Sequence, residues 1–169
     1  MPQNPPRSTA LQYRTVILFY LGLVTIILVA LGIDHICGEW GRLELGWINP
    51  AIGISLSIIG CTLLSWAVGV QVVVGKGTPV PKVATQRLVT QAPYSWTRNP
   101  MTLGALLMYL GIGVWIESGP VILLTLLIFS GLLRYIKVHE TAELAERFGD
   151  EYLEYHEKTP FIIPRIRRR

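Results

Sequence analysis

The chain has 169 residues, 51% of them hydrophobic and 15% charged, and its mean hydropathy is +0.45. That balance excludes an ordinary soluble domain, whose core cannot conceal so much apolar surface, and the length allows one unit with roughly three to five spans of about 20 residues. The formal net charge of +4 is concentrated in particular loops and at the C-terminus rather than in a basic, aromatic stripe. Membrane lipids are therefore the expected partners, and nucleic acid is not.

Residues 1–10 are polar and proline-rich, lack the small-residue cleavage pattern of a signal peptide, and are expected to form a flexible tail. Residues 15–33 carry no charge. At about 1.5 Å per residue they cover a hydrocarbon core of about 30 Å, which predicts a first membrane helix. Asp34, Glu39, Arg42 and Glu44, interspersed with Trp40 and Trp47, give the composition of an interfacial loop. A second helix is predicted over 51–74. Gly53, Ser55, Ser57, Gly60, Ser65 and Gly69 along it predict close contact with a neighbour, because packing drives helix association in lipid. The loop 75–100 contains Lys76, Lys82, Arg87 and Arg98 and no acidic residue.

A third apolar run, 101–116, is short for a span. Glu117, Ser118, Gly119 and Pro120 then signal a turn into a fourth helix over 120–137, completing a tight hairpin. Gly111 and Gly113 in the third run read as packing glycines. Residues 138–169 are too charged to span, yet Leu144, Phe148, Tyr152 and Tyr155 recur at helical spacing, with a break expected at Gly149 and a cap at Asp150. The fold class is thus an all-α integral membrane protein of about four helices with a helical C-terminal tail. Lysine and arginine asymmetry places both termini, the 75–100 loop and the tail on the cytoplasmic side of a multi-pass protein, expected in a bacterial inner membrane. Cys37 and Cys61 are too far apart in this scheme for a disulfide, and Asp34, His35 and Cys37 lack a fourth partner, so no metal site is expected.

The stretch QAPYSWTRNPMTLG, 91–104, lies at the membrane boundary, where Pro93 and Pro100 fix φ and shape a turn able to hold a site. Before it stand Gly77, Thr78, Pro79, Pro81, Leu88 and Val89; within it stand Pro93, Tyr94, Arg98, Asn99, Pro100, Met101 and Gly104. The tail supplies Glu140, Leu144, Phe148, Gly149, Glu151, Tyr152, Tyr155 and Pro160. These residues resemble two motifs of the membrane-embedded isoprenylcysteine carboxyl methyltransferase and phospholipid methyltransferase family. The first is GTPxP followed by LVxxGPYxxxRNPMYxG; the second is EExxLxxxFGxEYxxYxxxxP. The chain departs from them at Ala92, Thr102 and Thr141.

The resemblance implies a pocket for S-adenosyl-L-methionine, closed by the 94–104 turn and the tail, and methyl transfer to a lipophilic acceptor entering from the bilayer. That acceptor is an isoprenylcysteine carboxylate, a phospholipid amine or a hydrophobic thiol; no protein partner is predicted. On this reading Arg98 pairs the cofactor carboxylate as a fork. Glu140 accepts from the ammonium or ribose or acts as general base, and His139 removes a proton from the acceptor. Tyr94, Tyr152 and Tyr155 offer ring faces, with Asn99, Pro100 and Gly104 completing the cofactor surface. Two other readings stand beside it: an NADPH-dependent membrane reductase of related architecture, and a non-catalytic membrane scaffold with a decayed site, motivated by Thr102 and Thr141.

Overall fold

The computed structural model describes residues 24–75 and 87–164, apart from Ile26, Ala30, Cys37 and the side chains of Glu39, Trp40, His139 and Glu140. The 1–10 tail, much of the expected first span, the Gly77, Thr78, Pro79 and Pro81 motif and Arg165 to Arg169 lie outside the described residues. Six helices follow in chain order: α1 (Ile27–Ile36), α2 (Ile48–Val73), α3 (Pro100–Trp115), α4 (Gly119–Tyr135), α5 (Thr141–Phe148) and α6 (Asp150–Lys158). A single turn of 3₁₀ helix, Gly38–Gly41, sits between α1 and α2, and a π turn, Ile136–Glu140, joins α4 to α5. The described residues contain no β-strand, only an isolated bridge between Arg42 and Ser118.

Among the described residues two stretches are long and apolar enough to cross a membrane: Ile48–Val73, and Gly119–Phe148, in which α4, the π turn and α5 run on as one helix. In each, only 17% of the most apolar window is buried, whereas the core helix of a soluble protein would be mostly covered. Ile52, Ile58 and Ile59 on α2, and Leu123, Leu126 and Leu127 on α4, stand open to the surroundings, as lipid-facing side chains do. α3 has 16 residues, about 24 Å at the helical rise, and falls short of the hydrocarbon thickness.

What α3 lacks in length it gains in intimacy with α2. Gly53, Gly60 and Ala67 repeat every seven residues along α2, as Gly104 and Gly111 do along α3, so each set forms one stripe. The helices run antiparallel with the stripes in register. A Cβ on Gly60 would lie 2.6 Å from the Gly104 carbonyl oxygen, and one on Gly104 would lie 2.8 Å from that of Gly60. Gly53 and Gly111 face each other the same way, at 2.7 and 2.6 Å. Ser57 adds a hydroxyl hydrogen bond to the Met108 carbonyl at 3.3 Å. The expectation of close packing along α2 is realised at Gly53, Ser57 and Gly60. It fails at Gly69, which meets nothing within 4 Å, and at Ser55 and Ser65, which are exposed.

α4 folds back on α3 through a turn in which Glu117 takes a φ of 60° and the Ser118 hydroxyl caps the helix by accepting from the Val121 amide at 3.2 Å. Gly113 lies close against Val121 and Ile122, and Tyr109 and Phe129 pack at 6.1 Å with Ala105 between the helices. The preceding loop ties down this end: the Leu43 amide donates to the Glu117 carbonyl at 3.0 Å, and buried Asn49 bridges Leu43 and Leu45. At α6 the helix begins after Gly149, at φ 54°, a left-handed value that favours glycine. Gly149 itself occupies the capping position expected for Asp150, and Asp150 stands in the first turn, where its charge complements the helix dipole.

Substituting Gly60 by valine forces side-chain atoms into the α3 backbone, which cannot yield as a side chain would. It is expected to cost about 3 kcal/mol or more. Gly131, with open space around it on α4, is the control: Gly131→Ala should be neutral or stabilising by up to about 1 kcal/mol. Thermal unfolding in detergent distinguishes the two, and equal midpoints would show that the seam does not hold the helices.

Candidate functional site

The end of the α2–α3 seam determines what the 91–100 turn rests on. One heptad beyond Gly60, Ala67 is fully buried, and its carbonyl accepts from the Tyr94 hydroxyl at 3.3 Å. The Tyr94 ring fills the space over Ala67 and Val89, with Val70, Val74 and Met101 around it. Trp96, on the outer side of the turn, meets Trp66 of α2 edge-on at 5.1 Å. Both indoles are about 40% exposed, as befits rings at a membrane interface.

The tail grips this turn from the other side. The Tyr155 hydroxyl donates to the Tyr94 carbonyl at 2.8 Å. Past α6 the chain becomes extended at Thr159 and lays Pro160 and Phe161 across the turn. The Arg98 amide donates to the Pro160 carbonyl at 2.9 Å, and the Phe161 carbonyl accepts from the Thr97 hydroxyl at 3.1 Å and the Asn99 amide group at 2.9 Å. Asn99 immediately precedes α3, and Pro100, its first residue, is fully buried.

Against these satisfied groups Arg98 stands out. Its Nε is buried without a hydrogen-bond partner, one of three such side-chain atoms among the described residues, with Asp34 Oδ1 and Thr125 Oγ1. Its guanidinium carbon lies over the Phe161 ring, 5.6 Å from the centroid and within cation–π range. Its charge reaches the tail. Burial pushes the Tyr155 phenol well above the ordinary tyrosine range, opposed by Arg98. Burial, and then the Arg98 charge, lower the His156 pKa, with Glu157 opposing.

The sequence-predicted residues therefore separate. Tyr94 packs over Ala67 and Val89 with its hydroxyl on the Ala67 carbonyl. Gly104 faces Gly60 and Leu64 across the helix seam. Tyr152 is 3% exposed and meets the tilted Tyr155 ring at 6.3 Å and His156 edge-on at 5.8 Å, within the tail. Asn99 ties the strap, and Arg98 keeps an unsatisfied donor. The side chains of His139 and Glu140 lie outside the described residues. Their backbone forms the π turn, where the Thr141 amide reaches the Ile136 carbonyl five residues back, a widening of the helix that is frequent at functional sites. Sequence reasoning missed Thr97 and Phe161. Thr97 occupied a variable position of the motif, and Phe161 lay one residue beyond its end.

At the opposite end a cavity of about 350 Å3 opens between Leu31, Asp34, His35, Gly38 and Arg42. No group of three His, Cys, Asp or Glu side chains close enough to hold a metal occurs among the described residues.

The helical fold, with two stretches of membrane-spanning length among the described residues, thus holds an arginine whose Nε lacks a partner between the RNP turn and a C-terminal strap. A family model described as phospholipid methyltransferase matches residues 48–151, and the chain belongs to that family. It is also similar to the cobalt-zinc-cadmium resistance protein CzcN of Cupriavidus metallidurans, 29% identical over 147 residues. Those residues are 85% of this chain and 61% of that protein, so the chain spans under two thirds of the relative's length.

The His156 shift carries a sign. A base whose folded pKa is lowered binds its proton more readily in the unfolded chain. Stability is therefore full above about pH 6.5 and declines as the pH falls below it. The thermal midpoint of the wild-type protein should drop between about pH 6.5 and pH 5 more steeply than that of His156→Gln. Parallel slopes would remove His156 from this dependence.

Proposed function

We propose that this chain transfers the methyl group of S-adenosyl-L-methionine to a lipophilic acceptor arriving from the bilayer. The observation that carries the reading is the buried, unpartnered Nε of Arg98, in a chain that belongs to a methyltransferase family. An arginine at the edge of the apolar region, whose Nε–H is shielded from water and has no protein acceptor, favours an anion that accepts two parallel N–H bonds, and a carboxylate fits that fork. S-adenosylmethionine supplies such a carboxylate together with an electrophilic methyl on its sulfonium.

Arg98 holds the carboxylate, the Asn99 turn and the strap keep water from it, and Tyr155 adds a half-buried ring beside it. Glu140 and His139, on the π turn, act on the ammonium or on the acceptor's proton; an amine or thiol acceptor must lose one, whereas a carboxylate already ionised need not. No covalent intermediate on the enzyme is called for, so alignment of acceptor and methyl carries most of the rate. The exposed apolar faces of α2 and α4 favour entry of the acceptor from lipid. Four spans, with both termini and the site on the cytoplasmic side of a bacterial inner membrane, complete the reading. The positive-inside distribution of Arg87, Arg98, Arg134 and Lys137 supports it.

Calorimetric titration of the detergent-solubilised chain with S-adenosylhomocysteine should show saturable binding, weakened at least about tenfold in Arg98→Lys, which keeps the charge but loses the fork. Methyl transfer should fall in Glu140→Gln with that binding largely retained if Glu140 is the base. Binding of NADPH in place of the nucleoside would favour the reductase, and absence of either ligand from folded protein would favour the scaffold.

A further inference from the structure

We infer that Phe161 is a positioning residue for Arg98, its ring fixing the plane of the guanidinium so that the in-plane N–H edge is presented to the cofactor carboxylate. This rests on the methyltransferase reading of the site. Phe161 plays two roles through separate parts of the residue. Its carbonyl is the common acceptor for Thr97 and Asn99 and, with the Pro160 carbonyl bound by the Arg98 amide, locks the strap onto the turn. Its ring makes the 5.6 Å contact with the guanidinium of Arg98.

A planar guanidinium bonds anions in its plane and aromatic rings across its face, so the two interactions do not compete. The Phe161 ring lies 5.6 Å from the guanidinium carbon while the Nε–H is left unpartnered. Without the ring, a flexible arginine samples several rotamers, and binding must first select the productive one. The strap is thus more than a lid. It orders the cation that the turn supplies, by a side chain whose removal leaves the backbone anchors in place.

That separation makes the test clean. Full-length Phe161→Leu and Phe161→Met retain all three backbone-carbonyl hydrogen bonds and should unfold at the wild-type temperature. Both should bind S-adenosylhomocysteine about tenfold more weakly, because the released guanidinium must be ordered on binding. Phe161→Tyr, which keeps the ring, should bind within about twofold of wild type. 5′-Methylthioadenosine, which lacks the amino-acid carboxylate, should bind wild type and Phe161→Leu alike. If Phe161→Leu binds S-adenosylhomocysteine as wild type does, or loses both nucleosides equally, the positioning role is overturned while the methyltransferase reading stands. If wild type itself binds neither nucleoside, both fall together.

Discussion

The contact between the backbones of α2 and α3 at Gly53, Gly60, Gly104 and Gly111 is the constraint from which the functional end of the molecule is built. In lipid no hydrophobic force drives two apolar helices together, and the gain must come from dispersion and from weak Cα–H contacts to carbonyls, both of which require close approach. Four glycines in heptad register permit that approach along most of α3. The same heptad then sets Ala67 beneath the turn, so that Tyr94 can reach its carbonyl. Tyr94 offers its own carbonyl to Tyr155, and the tail is drawn over the turn. Helix packing in the apolar layer thereby fixes, through these contacts in series, where a polar strap lies outside it.

Arg98 is where this series meets electrostatics. A guanidinium at such a boundary would by default extend its charge towards headgroups and water. Here its backbone amide is taken by Pro160, its guanidinium lies over the Phe161 ring, and a donor is buried without an acceptor. An unpaired buried donor costs roughly 1–3 kcal/mol, and a fold retains that cost where a ligand relieves it. Family membership and this local imbalance point the same way from independent grounds.

Much of this was legible in the residue order. The hydropathy and the turn signal at 117–120 located the helices, and the RNP and FGxEY motifs identified the two segments that meet. Roles within those segments were harder to assign, because a motif records which residues are held together without saying which side of each faces a ligand. Tyr94 and Gly104 sit in the same motif as Arg98, yet one is packed over α2 and the other is pressed against Gly60. Gly69 and Gly60 belong to the same run of small residues, but only one faces α3.

The sequence by itself determined that the chain is apolar, helical and membrane-associated, and which family its motifs belong to. These follow from local quantities: transfer free energy, periodicity, charge order and the stereochemistry of proline and glycine. Tertiary structure alone decided that Arg98 keeps a free donor while its motif neighbours are satisfied, and that Phe161 lies across it. Satisfaction of a polar group depends on what arrives from elsewhere in the chain. The partners of the Thr97–Asn99 segment come from more than 60 residues away, placed there by a glycine seam that no local pattern could have put in register with its opposite helix.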